Sequence, residues 1–185
     1  MILEIVQYGD PVLREKGLEV GEIDAKVKRL AEDMVETMRA ANGVGLAAQQ
    51  VGVALQLMVV DVEDMEDRPS AMFIGETEVI LGDYMPMILV NPVLELSKDR
   101  ESESEGCLSF PEMSGEITRA SGVRCRAKRL DGKEIIFEAF GLLARAIQHE
   151  VDHLHGVLFI DRMNSSAKAC VAGRLKRLQQ RMSRR

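Results

Sequence analysis

The sequence predicts a mixed α+β domain, in which mainly antiparallel sheets surround a central helix and a basic helix lies at the C-terminus. Three observations support this class. Apolar residues recur at helical spacing after Asp24, apolar and polar residues alternate on both sides of Asp131-Gly132, and a helical pattern runs from Leu142 to Leu154. At 185 residues the chain suits one compact domain.

The first predicted helix begins at Asp24, whose side chain can cap the first turn. Its inward positions are Val27, Leu30, Met34, Met38 and Ala41. Asn42-Gly43 should end it, because these residue types favour the left-handed conformation that follows many helices. A Gly-rich turn over 43–50 and a strand-like run over 55–60 come next.

The middle of the chain is less regular. Residues 63–86 are acidic, are interrupted by proline and glycine, and predict a surface insertion with a short helix or hairpin. Two short strands, 87–91 and 93–96, are predicted to be separated by Pro92. Beyond them, Asp131-Gly132 predicts a hairpin with a two-residue turn. The buried positions of that hairpin are Val123, Cys125, Ala127, Ile135, Phe137 and Ala139.

The helix over 142–154 contains an H-E-x-x-H pattern at 149–153. Residues four apart lie about 40° apart around a helix, so both imidazoles can reach one metal ion. Glu150 is displaced by about 100° from the first histidine and can reach a water bound to that ion. Leu142 and Ala146 share the face of the two histidines, which predicts an inward-facing site.

Two histidines leave a tetrahedral ion short of a further protein ligand. The candidates are Cys107, Cys125, Cys170, His155 and a distant carboxylate. His155 lies about 200° around the helix from the second histidine and therefore points away. Cys107 has the most suitable setting, because a glycine before it and a proline soon after favour a bent, extended segment. Cys125 and Cys170 are more typical of small hydrophobic residues.

Composition excludes some classes of protein and leaves one question open. No apolar segment approaches the length of a membrane helix, and the N-terminus has no signal-peptide features. The three cysteines are scattered and do not form a disulfide framework. Together these observations predict a cytoplasmic protein. Seven of the 24 basic residues, and no acidic residue, lie from Met163 to Arg185. This tail either contacts nucleic acid or another acidic surface, or folds back on the acidic body.

Three segments of the chain together resemble the peptide deformylase family, whose patterns are G-x-G-x-A-A-x-Q, E-G-C-L-S and Q-H-E-x-D-H-L. The matching segments are 43–50, 105–109 and 148–156, and the flanks at 9–14 and 157–162 are also similar. The resemblance implies a deformylase catalytic domain over 1–164, followed by a basic C-terminal helix over 165–185.

The resemblance also implies an activity, which is metal-dependent hydrolysis of the N-formyl group from the formyl-methionine of newly synthesised polypeptides, with release of formate. Cys107, His149 and His153 would hold a catalytic Fe²⁺, which Zn²⁺, Ni²⁺ or Co²⁺ can replace. Thiolate and imidazole ligands suit these ions better than Mg²⁺ or Ca²⁺. We expect a monomer that acts on formyl-methionyl nascent peptides, contacts no membrane, and meets the ribosome or rRNA through its basic helix.

Roles for individual residues follow from the same resemblance. Glu150 would take a proton from water and return it to the leaving amine. The Leu108 backbone N–H and the Gln50 amide would stabilise the oxyanion. Candidate substrate-binding residues are Val44, Gly45, Leu142 and Ala146. An ion pair between Glu105 and Arg119 would steady the cysteine loop.

Three points stay open at this level. Glu103 and Arg145 fall where an apolar wall is expected, and the sequence does not decide whether they pair over the pocket. The arginine that some relatives carry just beyond the cysteine loop is absent after Glu112. An H-E-x-x-H zinc peptidase and a non-catalytic deformylase-like binding protein remain alternatives.

Overall fold

A computed structural model describes residues 1–65 and 67–182 of the chain. The strands are β1 (Gly45–Ala47), β2 (Leu57–Val60), β3 (Ser70–Ile74), β4 (Thr77–Glu78), β5 (Met87–Leu96), β6 (Arg100–Cys107), β7 (Phe110–Ala120), β8 (Gly122–Lys128) and β9 (Glu134–Gly141). The helices are α1 (Ala25–Ala40), α2 (Leu142–Leu154), α3 (Phe159–Arg162) and α4 (Ser165–Met182). Short 3₁₀ helices lie at Pro11–Arg14, Ala48–Val51 and Leu81–Tyr84.

The strands form two sheets. Seven of them pair in the order β1-β2-β5-β8-β9-β3-β4, and β6 pairs with β7 in a separate ribbon. All of these pairings are antiparallel. Helix α2 lies at the centre, with nearly all of its side chains buried. This is the α+β class that the sequence predicts. In the two described stretches, no helix is both long enough and apolar enough to cross a membrane.

The prediction for α1 is confirmed. The Asp24 carboxylate accepts hydrogen bonds from the backbone N–H groups of Lys26 and Val27, each at 2.9 Å, and so caps the helix. Met34 and Met38 are fully buried on its inner face. Asn42 ends it with a φ of 54°, in the left-handed region.

The hairpin of β8 and β9 is confirmed, but its predicted two-residue turn is wrong. The predicted inward positions are all buried. The Arg129 N–H instead bonds the Lys133 carbonyl at 2.9 Å, and the Gly132 N–H bonds the Arg129 carbonyl at 2.9 Å. Gly132 has a φ of 80°. This is a three-residue loop with glycine in the left-handed position, which needs only one residue of positive φ.

The two short strands predicted around Pro92 are one continuous strand, β5. Its register against β8 shifts between Val90 and Val93, and Asn91 there has a φ of 52°. The irregularity accommodates Pro92, which has no N–H and cannot donate a hydrogen bond to the neighbouring strand. The Asn91 side chain donates to the Val20 carbonyl at 2.8 Å and accepts from the Val20 N–H at 2.9 Å, which holds this backbone in place.

Residues 63–86 contain the predicted hairpin, but they are not a mere surface insertion. Strand β3 pairs with β9 and extends the main sheet, and its Met72 is fully buried. The Pro69 carbonyl and the Ser70 hydroxyl accept hydrogen bonds from the first two N–H groups of α2, at 3.2 and 3.0 Å. The segment therefore anchors the start of the central helix.

The ribbon of β6 and β7 was not predicted from the sequence. Residues 100–104 of β6 are all exposed, so no apolar alternation marks this strand. The ribbon matters for the site because Cys107 is the last residue of β6 and pairs with Phe110 across a tight turn.

Candidate metal centre

Three possible metal ligands converge where the end of β6 meets α2. The ligand atoms of Cys107, His149 and His153 all lie within 4.8 Å of one another. The two histidines are one turn apart on α2, and the Cys107 Sγ lies 3.3 Å from the His153 Nε2. The end of the ribbon and the central helix therefore bring together the three residues that the family resemblance suggested.

The chemistry of this group fits a bound divalent ion. One thiol sulfur and two imidazole nitrogens suit zinc and similar late transition metals, and three protein ligands leave a fourth tetrahedral position. The His149 Nδ1 is held at 3.0 Å by the Glu105 carboxylate, so its Nε2 remains for an ion. This carboxylate–histidine arrangement fixes the tautomer and the ring orientation of a metal ligand.

Glu105 is the centre of a buried network behind the ligands. Its carboxylate accepts from Arg119 Nε and Nη2 at 2.5 and 3.0 Å, and from Arg145 Nη1 at 2.8 Å. Burial alone would raise the pKa of Glu105, but the hydrogen bonds from His149 and Arg119 outweigh it and lower the pKa to about 2. The carboxylate is therefore ionised throughout the neutral range.

Arg119 continues the network to a residue that the sequence analysis did not single out. Its Nη1 donates to Asp152 at 2.8 Å, and Asp152 also accepts from Arg162 Nη2 at 2.6 Å. Asp152 lies three residues after His149, on the same side of α2. The D of the Q-H-E-x-D-H-L pattern was the available signal for this role, since a spacing of three residues from a ligand places both side chains on one face of a helix.

The sequence did not decide whether Arg145 pairs with Glu103. In the structure Arg145 is buried because its guanidinium has several hydrogen-bond acceptors. In addition to Glu105, it donates to the Ile117 carbonyl and to the Glu101 carbonyl, each at 2.9 Å. Its Nε lies 3.5 Å from Glu103. Glu103 and Arg145 thus do approach each other, and the guanidinium ties α2 to both strands of the ribbon.

Glu150 lies in the site with its carboxylate against the backbone of β1. A Cβ added to Gly45 would lie 2.4 Å from the Glu150 Oε1, so only glycine leaves room for this carboxylate. Burial raises the pKa of Glu150 to about 7. Among the described residues, its buried Oε2 has no hydrogen-bond partner, which suits a group that exchanges protons with water or substrate.

Gln50 faces the ligands with a fixed orientation. Its Oε1 accepts from the Ala47 N–H at 2.9 Å, and its Nε2 lies 3.3 Å from the Ser109 hydroxyl and 3.5 Å from the Cys107 Sγ. Since the carbonyl end is taken by backbone, the NH₂ end must point towards the ligand group. Leu108 follows Cys107 and packs over Gly43, where an added Cβ would lie 2.7 Å from its Cδ1.

A cleft of about 640 Å³ opens beside these residues. Its lining contains most of the predicted site residues: Val44, Gly45, Gln50, Glu105, Cys107, Leu108, Leu142, Ala146, His149 and Glu150. Two predicted residues, His153 and Arg119, lie behind this lining and are 1% and 3% exposed. Arg68 also lines the cleft and comes from the segment that the sequence left without a function.

The other ligand candidates lie elsewhere. His155 is exposed, and its Nδ1 bonds the Val151 carbonyl at 2.8 Å. Cys125 is fully buried in the main sheet, and burial raises the pKa of its thiol to about 12. Cys170 is exposed on α4. None of the three belongs to the group formed by Cys107 and the two histidines.

Comparison with known proteins gives a consistent result. Residues 2–169 match the family described as polypeptide deformylase. The chain is 42% identical over 179 residues to a peptide deformylase of Methylacidiphilum infernorum, covering 97% of this chain and 94% of that protein. It is 44% identical over 185 residues to one of Opitutus terrae, covering 96% and 93%.

Solved structures agree with the sequence matches. A plant peptide deformylase superposes with a TM-score of 0.84 at 34% identity, covering 98% of this chain and 91% of that one. The peptide deformylase of Thermotoga maritima superposes with a TM-score of 0.73 at 36% identity, covering 89% and 99%.

Proposed function

Because this chain belongs to the polypeptide deformylase family, we propose that it is a metal-dependent hydrolase of the N-formyl group of formyl-methionine at the N-terminus of newly synthesised polypeptides. The products are formate and a free α-amine. The observation that carries this proposal is the convergence of Cys107 with the H-E-x-x-H helix and Gln50 on one cleft. An H-E-x-x-H peptidase of the usual kind would need a further histidine or carboxylate ligand, and His155 is turned away.

Cys107, His149 and His153 would hold the metal, and Fe²⁺ is the proposed ion, with Zn²⁺, Ni²⁺ or Co²⁺ as replacements. Such an ion supplies Lewis acidity and lowers the pKa of water to about 7. The thiol sulfur supports a late transition metal, since Mg²⁺ and Ca²⁺ prefer oxygen ligands. Glu105 and Arg119 are proposed to keep the His149 ring in the orientation that ligation requires.

Glu150 is proposed as the general base and acid. Its carboxylate would accept a proton from the attacking water and pass it to the amine as the C–N bond breaks. Two features support this role: the carboxylate lies next to the histidine ligands on α2, and its Oε2 is free of hydrogen bonds to the described residues. Its contact with Gly45 limits the positions that the carboxylate can take.

Gln50 and Leu108 are proposed to stabilise the oxyanion that forms when water attacks the formyl carbon. The Gln50 Nε2 and the Leu108 backbone N–H are neutral donors beside Cys107. The Ala47 N–H holds the Gln50 amide in place before substrate arrives. Donors that are oriented in advance stabilise developing charge without a cost of reorganisation.

The methionine side chain is proposed to bind against Val44, Leu142 and Ala146, which line the cleft next to His149. The backbone of Gly45, at the edge of the main sheet, would hydrogen-bond the extended peptide.

The basic helix α4 is proposed to contact the ribosome through rRNA in the cytoplasm, with the enzyme acting as a monomer. Its apolar residues Val171 and Leu178 are buried against the body, whereas Lys168, Lys176 and Arg177 are exposed. Arg184 and Arg185 of the same basic tail lie outside the described residues. Binding to ribosomes should weaken steeply as salt rises, because phosphate contacts release counterions.

The test of the activity is formate release from a short formyl-methionyl peptide by protein purified without oxygen. The matched variant is Glu150→Ala, and the matched substrate is the same peptide without its formyl group. Formate released by the wild type and lost in the variant, with peptide bonds intact, supports deformylation. Cleaved peptide bonds would indicate a peptidase, and a metal-loaded but inert wild type would indicate a binding role.

A further inference from the structure

The segment before β3 carries a charged side chain into the cleft. Hydrogen bonds from the first residues of α2 to Pro69 and Ser70 hold this segment against the helix. As a result Arg68 lines the cleft together with Leu142 and Ala146. With Val44, these two residues are the apolar part of the cleft that the proposed function assigns to the methionine side chain, so the cleft that would hold this side chain also has Arg68 in its wall.

Arg68 is held there by an acidic residue of the ribbon. Its Nη2 forms an ion pair with Glu103 on β6, and the two side chains are 40% and 45% exposed. Exposed ion pairs of this kind contribute little to stability and exchange readily with water. Arg145, the other guanidinium in the cleft, differs because its side chain is only 7% exposed and is bonded to Glu105. Arg68 is therefore the arginine that can turn towards a ligand.

A guanidinium carries five N–H donors and no acceptor. A hydrocarbon side chain that filled the pocket would remove water from Arg68 without replacing its hydrogen bonds, and such burial is unfavourable. A side chain that carries an oxygen acceptor near its end would offset this loss with a charge-assisted hydrogen bond. The thioether of methionine is a weak acceptor and lies between these cases.

We propose that Arg68 is a specificity-determining residue that selects formyl peptides whose first side chain carries a hydrogen-bond acceptor near its end. The chemical class that gains most is the peptide of oxidised methionine, whose sulfoxide oxygen is a strong acceptor on a side chain of unchanged length. Norleucine, which has a methylene in place of sulfur, loses most. This inference rests on the proposed function, because it concerns the side chain next to the hydrolysed formamide.

The test measures kcat/KM for formate release from three peptides that differ only in the first residue: formyl-methionine, formyl-methionine sulfoxide and formyl-norleucine. The quantity compared is the sulfoxide-to-norleucine ratio in each protein. In Arg68→Met, which keeps a long side chain and removes every donor, we expect this ratio to fall about tenfold. The matched control is Arg129→Met, because Arg129 forms an exposed ion pair with Asp131 of similar exposure, 47% and 45%, in a turn outside the cleft lining. There the ratio should stay at the wild-type value.

A second variant separates a contact with substrate from a structural role of the ion pair. Glu103→Gln removes the charge that competes for Arg68 but leaves its donors in place, so we expect the ratio to stay or rise. If the ion pair only shaped the cleft, breaking it from either side would change the ratio in the same direction, and that result would overturn the proposal. An unchanged ratio in Arg68→Met would also overturn it. Failure of the wild type to release formate from all three peptides would instead refute the proposed function, and the inference with it.

Discussion

Replacing Gly45 by alanine tests whether catalysis depends on the position of Glu150. The added Cβ would lie 2.4 Å from the Glu150 Oε1, 2.8 Å from its Cγ and 2.9 Å from its carboxyl carbon. The backbone of Gly45 lies outside the left-handed region, so alanine adds a steric contact without backbone strain. The substitution therefore moves one carboxylate and leaves the chemistry of every side chain unchanged.

The size of the displacement sets the expected loss of activity. Ordinary contacts of a Cβ begin at 3.4 Å, so the Glu150 Oε1 must retreat by about 1 Å. Glu150 is only 4% exposed, and the protein interior is close-packed, so the carboxylate cannot simply swing into solvent. Misplacement of about 1 Å costs about 10²-fold in rate, which corresponds to about 2.7 kcal/mol. We expect kcat to fall by that factor.

The assay follows formate release from a formyl-methionyl peptide, together with metal content per chain and the thermal midpoint of unfolding. Metal content should stay at the wild-type level, because the three atoms nearest to the new methyl group all belong to Glu150. Gly21→Ala is the matched control, since a Cβ at Gly21 meets no atom within 4 Å. A Gly45→Ala protein that keeps its metal and a kcat within threefold of the wild type would refute the assignment of Glu150.

Three further predictions concern the metal and the backbone. Glu105→Gln should weaken metal binding by about 10- to 100-fold and lower the free energy of unfolding by about 3–5 kcal/mol, because the His149 N–H and a buried guanidinium lose their carboxylate. Metal titration measures the first loss and urea unfolding measures the second. Unchanged metal affinity would contradict the role of Glu105. Gly132→Ala should lower the free energy of unfolding by about 1–2 kcal/mol, because alanine is strained at this positive φ although the surroundings are open. Gly156→Ala should lower it clearly more, because the added Cβ would also lie 2.4 Å from a backbone oxygen. Equal losses of free energy in chemical unfolding would count against this reasoning. Removal of the metal by a chelator should abolish formate release. Fe²⁺ or Zn²⁺ should restore the activity, but Mg²⁺ should not, since Mg²⁺ does not suit the Cys107 thiolate. Rescue by Mg²⁺ would exclude the proposed ligand set.

Local patterns in the sequence predicted a large part of the fold. The cap at Asp24, the spacing of apolar residues in α1 and the alternation in β8 and β9 all depend on neighbours within a few residues, and each is confirmed by the structure. The H-E-x-x-H spacing is local in the same sense. Two histidines one helical turn apart must lie on one face, so their approach to a common point follows from helix geometry alone.

Other features depend on contacts between segments that are far apart in the chain. The strand β6 is marked by no apolar alternation, because its outer residues are exposed and it is held by pairing with β7. Arg145 is buried because Glu105, some forty residues earlier in the chain, accepts its hydrogen bond at 2.8 Å. Neither fact can be read from a short window of sequence.

The sequence by itself determined helices α1 and α2, the presence of a helix at the C-terminus, the face of α2 that carries the histidines, and the family to which the chain belongs, whereas it did not indicate α3. Tertiary structure alone decided that the segment before β3 anchors α2, that Arg68 and Leu142 line the same cleft, and that Gly45 must be glycine because Glu150 lies against it. The physical reason is the range of the interactions. Backbone periodicity and capping act within one turn or one strand, whereas burial, ion pairs and steric exclusion depend on which distant segments pack together.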